Sequence, residues 1–343
     1  MIKLEYARLD EPGYSRVRRG RGFSYLGTSG KPLKRKSLID YCRSLVIPPA
    51  WNDVWISPLA HAHILSTGID EAQRKQYLYH PEWSRVRNER KFDELLKFAE
   101  CLPALRRQLD KDMTGPRHAR QRVIATAVRL IDSGLVRVGN EQYLRANGSR
   151  GATTLSSGSA SVSGDEVTLD FKGKSGVQRH VVLEDEALAR SIAYCQELPG
   201  QRLFQYVDEE GEQRDVGSSD VNDYLREHTG EEFTAKHFRT WGGSAEACQF
   251  LFENPANEVD EKLGKKREAA MVKQVAEKLG NTVAVSRKYY IHPVLIDAAR
   301  SCYSLKVSGR ALSGLSREES RLLRVLKQKD AAFAVPVSEE AAE

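Results

Sequence analysis

No apolar run in this 343-residue chain approaches the ~18 residues of a membrane-crossing helix. The opening Met-Ile-Lys-Leu-Glu-Tyr also lacks the apolar core of a secretory leader, so the expectation is a cytoplasmic protein without a membrane partner. Cysteine is scarce: Cys42, Cys101, Cys195, Cys248 and Cys302 are odd in number, scattered, and never in a Cys-x-x-Cys pair. That argues against a disulfide framework or a zinc site. There is no Walker loop, no cluster of Asp and Glu, and no His/Cys ligand spacing. No cofactor and no metal are expected, and any phosphoryl chemistry here would draw its charge stabilisation from cationic side chains.

Acid is missing from one stretch in particular. Residues 1–85 hold 14 Lys and Arg against 8 Asp and Glu, while the remainder holds 39 of each, so the net +6 lies wholly in the first quarter. Residues 15–36 carry Arg16, Arg18, Arg19, Arg21, Lys31, Lys34, Arg35 and Lys36 with no acid, interleaved with Phe23 and Tyr25. Such a run suits phosphate contact, or a solvated flexible arm. Hydrophobic residues at 40% and charged ones at 29% are ordinary for a globular protein, and the length allows two domains.

After the basic run, Pro48-Pro49-Ala50-Trp51 reads as a rigid break, with strands at Val54-Trp55-Ile56 and His63-Ile64-Leu65. In Arg74-Lys75-Gln76-Tyr77-Leu78-Tyr79-His80, Gln76 could read an adenine edge, and Lys75, Tyr77 and Tyr79 could contact phosphates; by period alone this is an amphipathic strand end. From Val86 the pattern turns helical, with Phe92, Leu95, Leu96 and Ala99 on one face, then Val123, Ile124, Ala127, Val128 and Ile131 within 116–134. Arg137 follows Gly134, free to pair with Glu141 or to stay solvated. Strands are expected at 153–155, 167–171 and 177–182, with Gly173-Lys174-Ser175-Gly176 as a tight turn presenting Lys174. Helices follow at 184–197 and 218–228, and Thr234 is a good N-cap for another. Within it Lys236 and Arg239 share a face while Phe238 and Trp241 anchor the core, unless the cations form an exposed basic face. Residues 258–268 are highly charged and expected to be solvated; 294–302 and 316–327 read as helices, and 331–343 as a disordered tail.

The most unusual stretch is residues 277–293. The helical spacing Met271, Val272, Val275, Ala276, Leu279 stops at Gly280, which suits a left-handed helix end, and Asn281, Ser286, Arg287, Lys288, Tyr289 and Tyr290 follow. A tyrosine with the ordinary pKa near 10 is ionised in about one molecule in a thousand at pH 7, so a nucleophilic one needs cations around it. Arg287 and Lys288 offer local charge. Alternatively the two tyrosines are one half-buried and one exposed aromatic beside a solvated basic pair.

In order, Arg137, Lys174, Lys236-x-x-Arg239, Asn281 and Tyr290 resemble the catalytic constellation of type IB DNA topoisomerases, of the bacterial group that looks like the poxvirus enzymes. Ser286, four residues before, and Asn281, nine before, both point to Tyr290 and not Tyr289. The resemblance implies an α+β protein: a small mainly β N-terminal DNA-binding (clamp) domain, residues 1–85, and a larger mainly α catalytic domain of the tyrosine recombinase / type IB topoisomerase fold, residues 86–315, followed by a C-terminal helix and tail, 316–343. It implies Tyr290 as nucleophile, Arg137, Arg239 and Asn281 on the phosphate, and Lys174 as general acid. It further implies double-stranded DNA as partner, contacts from Lys75, Gln76, Tyr77, Tyr79, Arg21 and Lys236, a monomer, and a place at the nucleoid. The serine-rich run 156–163 is less basic than the family would have it, which weighs against a DNA contact there. A tyrosine recombinase would share the chemistry but typically has His where Lys236 stands. A catalytically silent DNA-binding protein would have no reason to keep all five positions.

Overall fold

Period-two alternation in the first part of the chain produces strands, as the computed structural model shows; it describes residues 4–71 and 73–334, apart from the side chains of 87–91, 329 and 330. The chain divides into two units, residues 1–91 and 92–343. In the first, β1 (Tyr14–Arg19), β2 (Gly22–Leu26), β3 (Asn52–Ile56), β4 (Ile64–Ile69) and β5 (Lys75–Tyr79) form an antiparallel sheet in the order β2-β1-β3-β4-β5, with α1 (Lys36–Ser44) between β2 and β3 in sequence. Its core is small: Cys42, Ile47, Val54 and Ile56, with Tyr14, Tyr25, Leu33, Tyr41, Trp51 and Leu78 packed around them.

The basic run is therefore a hairpin rather than a loose arm, and its cations differ in kind. Arg16 is tied down: it donates to the carbonyls of Ile47 (2.7 Å), Pro48 (2.8 Å) and Trp51 (2.8 Å) and lies over the Phe23 ring. It fixes the proline-rich loop, which removes it from the phosphate-contact candidates. Arg18, Arg19 and Arg21 are exposed, Arg21 at the two-residue turn beside Gly20, whose φ of 57° suits glycine.

The second unit takes in most of the long α2 (Pro81–Asp112), then α3 (Arg120–Gly134), α4 (Glu141–Asn147), the antiparallel sheet β6 (Ala160–Ser163), β7 (Glu166–Lys172), β8 (Gln178–Glu184), then α5 (Glu186–Glu197), β9 (Gln205–Val207), β10 (Gln213–Asp215), α6 (Ser218–Thr229), α7 (Ala235–Glu253), α8 (Glu261–Leu279), α9 (Val283–Tyr289), α10 (Pro293–Arg300), β11 (Ser304–Leu305), α11 (Arg317–Gln328) and β12 (Phe333–Ala334). Central to it is α7, which buries Phe238, Trp241, Ala245, Cys248 and Leu251 and touches α3, α6, α8, α10 and α11. Two adjacent glycines allow the close approaches: a Cβ on Gly242 would stand 2.5 Å from Leu135 Cδ2, and one on Gly243 2.7 Å from the Tyr290 carbonyl. The mixed α+β architecture, a small sheet unit before a larger helical one, matches the sequence reading.

Three expectations are corrected. Residues 153–155 are not a strand; Ala152–Thr154 make a 3₁₀ turn because Gly151 fits against the Arg137 carbonyl, leaving the amides of Ala152 and Thr153 to bond the carbonyls of Arg137 (2.8 Å) and Val138 (2.7 Å). The charged stretch 258–268 is not wholly solvated. Arg267 donates to the carbonyls of Asn254 (2.9 Å) and Tyr303 (2.9 Å), and Glu268 is buried. Of the expected disordered tail, residues 331–334 close a 3₁₀ turn and pair with β11 through Ser304↔Ala334 and Leu305↔Phe333, while 335–343 lie outside the described residues.

Candidate active site

Arg137 reaches its place through an unusual helix end. After α3, Leu135 rather than Gly134 takes the left-handed conformation, at φ 49°, a strained choice for a branched residue. Leu135 thereby presents its carbonyl to the buried Arg239 guanidinium, which donates to it through Nη1. Gly139, at φ 103°, packs on Thr153 and Thr154, and the backbone pairing of 137–138 with 152–153 then holds Arg137. Glu141 does not claim Arg137; it pairs with Arg202 and Arg145.

On the other side, α8 ends as the spacing predicts, with Gly280 left-handed at φ 57°. Its last carbonyls would be orphans of the helical ladder and sit at the negative end of the helix dipole. Arginines take them: Arg179 donates to the carbonyls of Glu277 (3.3 Å) and Lys278 (3.0 Å), Arg239 to that of Leu279 (2.8 Å), and Arg137 to that of Gly280 (3.5 Å). Arg137 and Arg239 also share the Asn281 side-chain oxygen, the latter at 3.2 Å. Three guanidiniums thus converge on one turn, and none of them forms an ion pair with a carboxylate among the described residues.

Tyr290 closes the group. Thr282 caps α9 by accepting from the Val285 amide, and Tyr290 follows the helix with its amide on the Ser286 carbonyl. The Arg239 guanidinium stands over the Tyr290 ring at 5.3 Å. Ser244 Oγ donates to the Tyr290 carbonyl (3.3 Å) and accepts from the His292 amide (3.0 Å), fixing the backbone on both sides. Burial first and Arg137 second lower the Arg239 pKa to about 10, which leaves it charged at pH 7. Arg137 and Arg179 are lowered too, each chiefly by burial. Arg239 Nε and Asn281 Nδ2 are buried and donate to no atom of the described residues.

Of the five positions singled out, the structure brings four into one cluster: Arg137, Arg239, Asn281 and Tyr290. Lys174 is exposed in the 3₁₀ turn between β7 and β8, without hydrogen bond or ion pair among the described residues. Two readings of the tyrosine stretch are corrected. Both Tyr289 and Tyr290 are half-buried, and the local cations serve other partners: Arg287 pairs with buried Glu268, and Lys288 lies 5.2 Å from the Tyr289 ring centre. The cations beside Tyr290 come instead from other elements. Sequence reasoning missed Arg179, Gly243 and Ser244, whose partners lie dozens of residues away along the chain and leave no local signature.

Among the suggested nucleic-acid contacts, Lys75, Tyr77 and Tyr79 alternate onto one face of β5, with the two rings stacked at 6.0 Å. Gln76 points to the other face and donates to Asp70 (2.7 Å), a carboxyl held at about 2 mainly by its Arg74 hydrogen bonds. Lys236 is exposed on α7, one turn from buried Arg239.

A family model described as "Eukaryotic DNA topoisomerase I, catalytic core" matches residues 74–303. A relative named "DNA topoisomerase 1B", from Acanthamoeba polyphaga mimivirus, is 34% identical over 259 residues, which is 74% of this chain and 77% of that one. This chain belongs to the type IB DNA topoisomerase family. A second model, "Bacterial DNA topoisomerase IB, N-terminal domain", matches residues 22–70 of the topoisomerase, inside its first unit. The type IB topoisomerase assignment makes the chain a DNA-binding enzyme of the isomerase class, and no helix among its described residues is long and apolar enough to cross a membrane. Two solved structures of XerH site-specific recombinase, in post-cleavage and pre-cleavage complexes, give TM-scores of 0.34 and 0.33 at 18% and 16% identity. They cover 60% and 67% of this topoisomerase, which spans 50% and 59% of theirs; the assignment does not rest on them.

Proposed function

We propose that this topoisomerase relaxes supercoiled DNA, without ATP or a metal ion, by opening and resealing one strand through Tyr290. The observation that supports it is the cluster's electrostatic imbalance: the Arg137 and Arg239 guanidiniums and the buried donors Arg239 Nε and Asn281 Nδ2 stand beside a tyrosine, and no carboxylate among the described residues pairs with those guanidiniums. Such a site suits a phosphodiester, whose charge grows on the non-bridging oxygens in the transition state. Tyr290 Oη forms a bond to phosphorus and gives its proton to solvent as the bond from phosphorus to the 5′-oxygen breaks. Arg137, Arg239 and Asn281 donate to the non-bridging oxygens. Lys174, on the turn between β7 and β8, gives a proton to the departing 5′-oxygen. The products are a 3′-phosphotyrosyl link and a free 5′-hydroxyl, and since one phosphoester replaces another, resealing is the same step reversed. Rotation of the free end in between removes supercoils of either sign.

The residues before Val86 act in this proposal as a DNA-binding domain, with Arg21, Lys75, Tyr77 and Tyr79 on the duplex together with Lys236 of the catalytic domain; Gln76 reaches a base edge only by leaving Asp70. A monomer acting at the nucleoid accounts for these parts. Incubation with supercoiled plasmid in EDTA without ATP tests the proposal. A ladder of topoisomers is the expected result; unchanged plasmid would mark a silent binder, and resolved or integrated products a recombinase.

A further inference from the structure

One arginine of the cluster lies outside the chemistry proposed above. Arg179 belongs to β8, on the far side of the turn that presents Lys174. Its side chain runs from the turn to the end of α8: a Cβ on Gly173 would stand 3.1 Å from Arg179 Cγ, and a Cβ on Gly280 would collide with its guanidinium. Both residues that flank the side chain are therefore glycines, one on the Lys174 turn and one beside Asn281. At the α8 end the two Nη atoms hold the carbonyls of Glu277 (3.3 Å) and Lys278 (3.0 Å). A guanidinium fork can serve two neighbouring carbonyls at once, which a lysine ammonium on a flexible stem does less well. No carboxylate pairs with it among the described residues, so it is not held by a surface ion pair.

We propose that Arg179 is a positioning residue that fixes the Lys174 turn to the C-terminal end of α8, and so sets the distance between the proton donor and the Asn281–Tyr290 side of the centre. Lys174 makes no hydrogen bond of its own among the described residues, so its placement is delegated to the turn, and the turn's reach across to α8 is the Arg179 side chain. This inference rests on Lys174 being the general acid.

The test compares single-turnover cleavage of a duplex with an ordinary 5′-oxygen and one with a 5′-bridging sulfur, whose leaving group needs little protonation. Full-length wild type, Arg179→Ala, Arg179→Lys, Lys174→Ala and Arg179→Ala/Lys174→Ala are measured. Arg179→Ala is expected to slow the oxygen substrate by about 10- to 100-fold, within the usual worth of a positioned acid, and to recover most of that loss on the sulfur substrate. Arg179→Lys should fall between wild type and Arg179→Ala, and the double variant should be no slower than Lys174→Ala. The sulfur-to-oxygen ratio is independent of the fraction of protein that is folded, so a variant that folds poorly still reports. Equal slowing on both substrates by Arg179→Ala, with rescue of Lys174→Ala, overturns the positioning role alone. Failure of sulfur to rescue Lys174→Ala overturns the acid assignment and this inference with it.

Discussion

Tyr289 and Tyr290 are neighbours in sequence with different surroundings, and that difference makes the proposed nucleophile testable. Tyr290→Phe keeps the ring under Arg239 and removes only the hydroxyl, so relaxation and the protein-linked strand should both vanish while DNA binding persists. Tyr289→Phe should retain relaxation; a gel in which the two variants exchange behaviour would reverse the register set by Ser286. In the proposed chemistry Asn281 acts through a neutral amide, which can donate to a phosphate oxygen but carries no charge that changes between pH 5 and 8. Asn281→His should stay active, and wild-type cleavage should show no step near pH 6.5 that disappears in Asn281→Ala. His292 titrates differently, because burial lowers its pKa to about 4 while its Nδ1 accepts from the Val294 amide at the start of α10. The unfolded chain, with an ordinary imidazole near 6.5, binds the proton first as pH falls. His292 therefore contributes stability that is present above pH ~6.5 and lost as pH falls through about 4, on the order of 3 kcal/mol at most. Denaturant melts between pH 7 and 4 should show a shallower decline for His292→Asn than for wild type.

Elements join this centre through groups that no single segment advertises. Glu268 on α8 holds α9 and α10 together: Oε2 accepts from Arg300 Nε (2.9 Å), and Oε1 faces Arg287 at ion-pair range without hydrogen-bond alignment. Glu268 is buried while both arginines are about half exposed, so the cost of breaking the set is unequal. Glu268→Gln leaves two cations that can turn to water and should cost about 1–2 kcal/mol. Removing both arginines strands a buried carboxylate and should cost about 3–5 kcal/mol, more than the two single losses together. Urea unfolding of the wild type and these four variants checks the order. Helix ends were the legible part: Thr234 opens α7 and Gly280 closes α8 where the spacing places them, and the Lys174 turn sits between its two strands. Arg137, Arg239, Asn281 and Tyr290 were legible as a set only because their order and spacing match a known pattern. Arg16, Glu268 and Arg179 were not legible, because a charged side chain looks solvated in sequence until the carbonyl or carboxylate that takes it is brought in from a distant segment. Residues 153–155 misled for a related reason, since their backbone partners belong to the Arg137 loop.

Across the whole molecule, residues 1–85 carry a net +6 against zero elsewhere and are therefore expected to supply most of the long-range attraction for DNA. Each phosphate that a variant no longer neutralises should reduce the slope of log K against log[salt] by about 0.9. Replacing Arg18, Arg19 and Arg21 together by Gln should flatten the slope by up to about 2.7, whereas Arg16→Gln should loosen the 47–51 loop and leave the slope nearly as it was. An unchanged slope in the triple variant would put the hairpin off the DNA. The arginine-covered end of α8 also has a meaning in time. A ribosome releases Arg137, Arg179 and Arg239 before it has made the carbonyls of residues 277–280 that hold them, and Tyr290 comes later still. On the proposed chemistry, the nascent chain would carry the phosphate-binding cations long before it could cut any strand, and a chain that stalls or is clipped ahead of α9 would carry the cations without the blade.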